Sequence, residues 1–272
     1  MQVIPLTENI GARIDGLDLE RPLTEVHLAL MIEALEKHKV LVFPNQINVG
    51  PEELLAFSAR FTTPDTSPHR GRVHKDIIPG VRMVITDGKG FRSQYGVEDS
   101  WHNDASALSE TRWFSILQAE EVPPHGRDTV FADMEAAYDR LSPEIQKLLE
   151  GLTAEYSWGR QDPEAPPVEH PVILQDEKSG RKCLYVNKAY TRSIVGLTPA
   201  ESDWILAFLF EQTHYPECQV RISWSKGTIV VWDDQRTQHC LVQDRIGRRV
   251  MHRVEGLGLK SLDERQVLMA EV

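Results

Sequence analysis

The stretch QVRISWSKGTIVVWDDQRTQH, residues 219–239, decides the fold class. Two short runs rich in β-branched residues, QVRISW and TIVVWD, flank Lys226-Gly227, a dipeptide with hairpin chemistry because glycine supplies the positive φ a tight turn needs. The second run reads as a buried strand that turns polar at its end. There, where a barrel mouth presents ligands, it reaches His239.

The same punctuation recurs on both sides. VRMVITD, WFSILQAEE, DTVFAD, HPVILQD, KCLYVN and RRVMHRVE are short, apolar or alternating, and bounded by Gly, Pro or Asp. Ser179-Gly180 predicts a second hairpin, between HPVILQD and KCLYVN. Helical spacing predicts helices in LTEVHLALMIEALEKHK with Thr24 as N-cap, in GPEELLAFSARF, in ADMEAAYDRLSPEIQKLLEGL, and in TPAESDWILAFLFEQTH with Thr198 and Glu201 as a capping box. Many late strands, with helices early or inserted, predict a mainly β sandwich or barrel with flanking helices rather than a doubly wound sheet. No repeat, linker or Gly-rich phosphate fingerprint interrupts the 272 residues, so a single domain over 1–272 is expected.

Composition narrows the function. The net charge of −11 opposes nucleic acid and anionic membrane as partners, and any bound anion must be small and locally held. No apolar run is long enough to span a bilayer and the N-terminus lacks signal-peptide regions, so a cytoplasmic protein is the default. Three separated cysteines, Cys183, Cys218 and Cys240, argue against a disulfide framework or a zinc ribbon.

Chemistry enters with SWHNDASAL, residues 100–108. On a strand, His102 and Asp104 at i and i+2 leave the same face and can grip one ion together. His239, 135 positions beyond Asp104, completes the 2-His-1-carboxylate pattern of non-haem iron(II) oxygenases if the fold brings it near. In RRVMHR, alternation sends Arg249, Met251 and Arg253 to one face. Arginines facing a barrel interior need anionic partners. A dicarboxylic cosubstrate can place its far carboxylate on the Arg249 fork, and Arg253 is left for an acidic substrate. Thr129, opening the strand DTVFAD, offers a hydroxyl to the same far carboxylate.

Together His102-x-Asp104, the P-x-x-G-x-D-T stretch at 123–129, WDDQRTQH at 232–239 and RRVMHR at 248–253 resemble the TauD/TfdA family of iron(II)- and 2-oxoglutarate-dependent dioxygenases. The resemblance runs from IGARIDGLDLERPL to MHRVEGLG, and LYVNKAYTRSIVGLT is closer to the taurine branch than to the herbicide-degrading one. It implies a double-stranded β-helix, the jelly roll of cupin-like proteins. It also implies His102, Asp104 and His239 as Fe(II) ligands, Thr129 and Arg249 on 2-oxoglutarate, and Arg253 on the substrate's acidic group. Such an enzyme uses O2 to oxidise a C–H bond of a small anionic organic substrate, a sulfonate or carboxylate, and releases succinate and CO2. Trp101 and Tyr190 are candidates for an aromatic substrate wall, and His69 resembles a substrate-contacting histidine by position. A homo-oligomer is the expected assembly.

Two departures bear on substrate. Gly126-Arg127-Asp128-Thr129 replaces the family's G-G-D-T, and Trp232-Asp233-Asp234-Gln235 its W-D-N-R. Arg127 and the polar loop GKGFRSQYGVED then suit a biosynthetic oxygenase acting on a larger carboxylic acid. A rival of another class is a non-redox zinc- or ligand-binding jelly-roll protein, since His, His and Asp also suit zinc.

Overall fold

The computed structural model describes residues 1–67, 74–86, 100–104, 106–159, 162, 164–176, 179–242, 244 and 247–259. Six strands, β1 (Gln2–Pro5), β2 (Ala12–Asp15), β3 (Val40–Phe43), β4 (Thr62–Pro64), β5 (His74–Ile78) and β6 (Val81–Thr86), alternate with α1 (Glu25–His38) and α2 (Pro51–Ala59). Next come β7 (Phe114–Glu121), β8 (Thr129–Asp133), α3 (Met134–Asp139), α4 (Pro143–Leu149), β9 (Thr153–Tyr156), β10 (Val168–Pro171), β11 (Ile173–Gln175), β12 (Lys182–Leu184) and β13 (Thr191–Ile194). The chain closes with α5 (Pro199–Phe210), β14 (Gln219–Ile222), β15 (Ile229–Asp233), β16 (Thr237–Leu241) and β17 (Arg249–Leu259).

A large sheet runs β1-β2-β3-β15-β7-β17-β6-β5, with β4 also on β17, and a small sheet runs β14-β8-β16. Strand alternation builds a core on each face of the large sheet. Leu41, Phe43, Ile229 and Val231 face α1 and α2, meeting Leu28, Met31, Leu35, Phe57 and Phe61. Val40, Val42, Val230 and Trp232 face the other way, onto Phe131, Val220 and Ile222 of the small sheet. The opposed sheets with helices outside form the mainly β jelly-roll core expected.

The Lys226-Gly227 hairpin does not form. β14 pairs with β8 in the small sheet, whereas β15 lies between β3 and β7 in the large one, so both of its edges are already filled. Residues 225–228 instead carry the chain from one sheet to the other. Gly227 holds φ +78, its N–H donates to Ala119 O (2.8 Å) and its carbonyl accepts from the Gln46 N–H (2.7 Å). A Cβ there would lie 2.8 Å from the backbone nitrogen of Ile47. Gly227→Ala is therefore expected to lower unfolding free energy by about 2 kcal/mol or more, the left-handed penalty plus a backbone displacement, read as a shifted midpoint in urea.

The Ser179-Gly180 hairpin does form, as β11 on β12. The helix expected over residues 132–152 divides into α3 and α4, because Pro143 disfavours helical backbone at Ser142, which becomes the N-cap of α4 instead. Thr24 caps α1 as expected, its hydroxyl accepting the His27 N–H, and Thr198 with Glu201 forms the capping box of α5. At the other end of α1, Lys39 turns left-handed (φ 62) and buries its ammonium against Asp133 (2.9 Å) and Glu135 (3.1 Å). Its carbonyl accepts the Asp233 N–H (2.8 Å), which pins the turn leading from β15 to β16.

Candidate active site

That turn delivers His239 to His102. The two residues exchange backbone hydrogen bonds as an isolated antiparallel bridge, His102 N–H to His239 O (3.1 Å) and His239 N–H to His102 O (2.7 Å). The segment around His102 is not the strand its pattern suggests. Past the bridge it turns, because the Asp104 N–H goes to the Asp234 carboxylate (3.0 Å) instead of a strand neighbour. The side chains converge nonetheless. Asp104 Oδ1 lies 3.8 Å from His102 Nε2 and 3.9 Å from His239 Nε2, all three residues are buried, and one ligand atom of each lies within 4.8 Å of the others.

Each ligand candidate is oriented by its neighbours. His102 Nδ1 sits 2.8 Å from Ser100 O, and since a carbonyl only accepts, Nδ1 donates there and Nε2 is the nitrogen turned toward Asp104. The His239 ring stacks on Phe131 (5.6 Å between centroids) and meets Trp232 edge-on (5.1 Å), so packing sets its plane. Burial, reinforced by His102, pushes the His239 pKa well down and keeps the imidazole neutral, the form that binds metal.

The two oxygens of Asp104 face different groups. While Oδ1 looks at the imidazoles, Oδ2 accepts from Arg253 Nη2 (2.5 Å) and from the Ser115 hydroxyl (2.9 Å). Burial alone would raise the Asp104 pKa, but the Arg253 guanidinium outweighs it and holds the carboxyl well below the usual range. Asp234 behaves oppositely: burial and the charge of Asp104 push its pKa well up. Burial therefore disfavours a second charge at the position where the W-D-N-R pattern has an amide. Two imidazole nitrogens and one carboxylate oxygen, converging in a buried site, fit a divalent cation such as Fe(II) or Zn(II).

Further along β17, Arg249 is buried and its Nη2 lies 3.4 Å from Thr129 Oγ1. Trp224 donates its indole N–H to the same oxygen (3.1 Å), and the Arg249 guanidinium carbon stands 5.2 Å from the centre of the Trp224 ring. Arg253, on the same face, is shared between Asp104 and Glu255 (2.9 Å), and its buried Nε–H has no partner among the described residues.

The remaining candidates divide. Tyr190 stands beside His102 (6.4 Å between centroids), backed by Trp158 at 5.3 Å. The Trp101 ring neighbours His214, 6.3 Å away, and packs against the core that α5 covers. Arg127 adopts φ 60 and is tied to the segment that follows β16, its N–H to the Asp244 carboxylate (3.0 Å) and its guanidinium to Gly247 O (3.3 Å). His69 and the loop at 88–99 lie outside the described residues.

Three residues that sequence reasoning passed over take part, Ser115, Trp224 and Asn187, together with Asp234, which was noted only as a departure from W-D-N-R. Ser115 holds Asp104, Asp234 takes its N–H and Trp224 holds Thr129. Asn187 bonds Asn103 (2.7 Å) and Ser106 (3.0 Å) through its amide while accepting the Tyr190 N–H (2.9 Å), so it ties the Tyr190 loop to the His102 segment. One signal was visible: Ser115 is a hydroxyl within the apolar run WFSIL.

Comparison with known proteins places the chain among relatives of this construction. A family profile described as taurine catabolism dioxygenase TauD, TfdA family matches residues 2–254. The alkylsulfatase of Acinetobacter baylyi is 30% identical over 280 residues, covering 92% of this chain and 84% of that protein. The alpha-ketoglutarate-dependent 2,4-dichlorophenoxyacetate dioxygenase of Cupriavidus pinatubonensis is 30% identical over 260 residues, covering 86% and 90%. Among solved structures, a taurine dioxygenase from Burkholderia xenovorans superposes with a TM-score of 0.83 at 31% identity, covering 97% of this chain and 92% of that one.

Proposed function

The chain belongs to the TauD, TfdA family, which makes it an oxidoreductase of the 2-oxoglutarate-dependent dioxygenase class, and from that premise we propose that His102, Asp104 and His239 hold Fe(II). The observation that carries this reading is the convergence of both Nε2 atoms on Asp104 Oδ1. A ferrous ion held there supplies oxygen activation, which no side chain can perform. In the overall reaction, 2-oxoglutarate and O2 give succinate and CO2 while one oxygen atom goes to a C–H bond of the substrate.

The protein's own groups bind and orient. Arg249 and Thr129 take the far carboxylate of 2-oxoglutarate, an assignment supported by a buried guanidinium beside a buried hydroxyl. Arg253 takes the substrate's anionic group. Its unpartnered Nε–H supports that role, while its hold on Asp104 Oδ2 keeps Oδ1 turned toward the imidazoles. Tyr190, backed by Trp158 and standing beside His102, supplies an aromatic wall. Relatives named for a sulfate ester cleavage, a sulfonate and an aryloxyacetate support a small anionic substrate.

The test is succinate release by iron-loaded protein, screened against sulfonates, sulfate esters and carboxylic acids. One class is expected to stimulate iron-dependent succinate formation. Tight zinc binding with no decarboxylation under any condition overturns the assignment. With the stimulating substrate in hand, Arg253→Gln is expected to raise its KM by about tenfold or more, through loss of a charge-assisted contact.

A further inference from the structure

Trp224 has no part in the reading above, yet it touches both groups assigned to the far carboxylate. It follows β14 in the segment that passes between the sheets, is buried, and donates its indole N–H to Thr129 Oγ1 at 3.1 Å. The Arg249 guanidinium carbon lies 5.2 Å from its ring centre, within cation–π range.

An indole nitrogen can only donate, whereas a threonine hydroxyl has two lone pairs and one proton. Thr129 Oγ1 therefore accepts from Trp224, and it accepts again from Arg249 Nη2 at 3.4 Å. With both lone pairs directed at N–H groups, its own proton must point elsewhere. That buried O–H has no acceptor among the described residues. The outcome is a hydroxyl turned into an obligate donor beside a cation, an arrangement that selects an anion.

We propose that Trp224 is a positioning residue for the cosubstrate: by fixing Thr129 as a donor beside Arg249, it makes the site select keto acids that carry a second, distal carboxylate. This rests on the 2-oxoglutarate reading. A ring that merely filled space would favour no particular far end of the ligand.

The test uses equilibrium binding rather than turnover. Calorimetry on the Mn(II)-loaded full chain compares N-oxalylglycine, a diacid isostere of 2-oxoglutarate, with N-ethyloxamate, which keeps the chelating end and lacks the far carboxylate. Trp224→Phe is expected to weaken N-oxalylglycine about tenfold while leaving N-ethyloxamate within about twofold. In the double variant with Thr129→Val, the loss should not exceed that of Thr129→Val alone by more than about twofold, because Trp224 acts through that hydroxyl. Equal losses for both ligands, or full additivity with Thr129→Val, overturn the proposal. If Trp224→Phe does not fold by circular dichroism, Trp224→Leu, which likewise removes the indole donor, carries the same expectation. A wild-type protein that binds both ligands equally overturns the 2-oxoglutarate reading itself, and this inference with it.

Discussion

Replacing His239 by alanine is expected to weaken divalent-metal affinity by roughly a hundred- to a thousandfold and to abolish succinate release. The magnitude follows from structural zinc sites, where about 10–16 kcal/mol is spread over four ligands, or roughly 2.5–4 kcal/mol per ligand. Removing one of three buried ligands also leaves Asp104 facing a single imidazole at 3.8 Å. The fold should survive, because Phe131 and Trp232 pack on each other at 5.4 Å whether or not the imidazole is present. Metal titration followed by calorimetry, alongside thermal unfolding, checks both halves of this expectation. Wild-type affinity in the variant would mean that His239 is not a ligand.

The second large effect is at Arg249. Arg249→Gln is expected to weaken 2-oxoglutarate or N-oxalylglycine binding by about a hundred- to a thousandfold, the roughly 3–5 kcal/mol lost when one partner of a buried ion pair is removed. Metal affinity should be nearly unchanged, since Asp104 is held by Arg253 and Ser115, not by Arg249. Arg249→Lys should recover only part of the loss, because an ammonium cannot present the planar two-pronged donor set a carboxylate matches. Separate titrations of metal and of keto acid decide the point. Loss of both affinities together would show that Arg249 supports the metal site instead.

Much of the chemistry was legible in the residues themselves. Arg249 and Arg253 lie four apart on a strand whose alternation puts both on one face, and His102 and Asp104 are near neighbours in the chain, so each pair was limited in where its side chains could go. Local signals also predicted the Thr24 cap, the Thr198 and Glu201 box and the Ser179-Gly180 hairpin, because each is a contact among neighbours in the chain. The Lys226-Gly227 turn shows where local reasoning stops. The dipeptide has hairpin chemistry, but whether two strands pair depends on which edges other strands have already filled, and β3 and β7 had filled both edges of β15.

What the sequence by itself determined is therefore the inventory: the strand-rich class, the donor atoms suited to a divalent ion, and the cations suited to a diacid. Only the tertiary structure decided which of these groups meet. The bridge between His102 and His239, the division of Asp104 between imidazoles and Arg253, and the hold of Trp224 on Thr129 all join residues far apart along the chain. Hydrophobic patterning sets which face of a strand is buried, but it is non-directional and cannot specify a partner. Partners are chosen when two sheets close on one core and buried donors and acceptors must all be matched there.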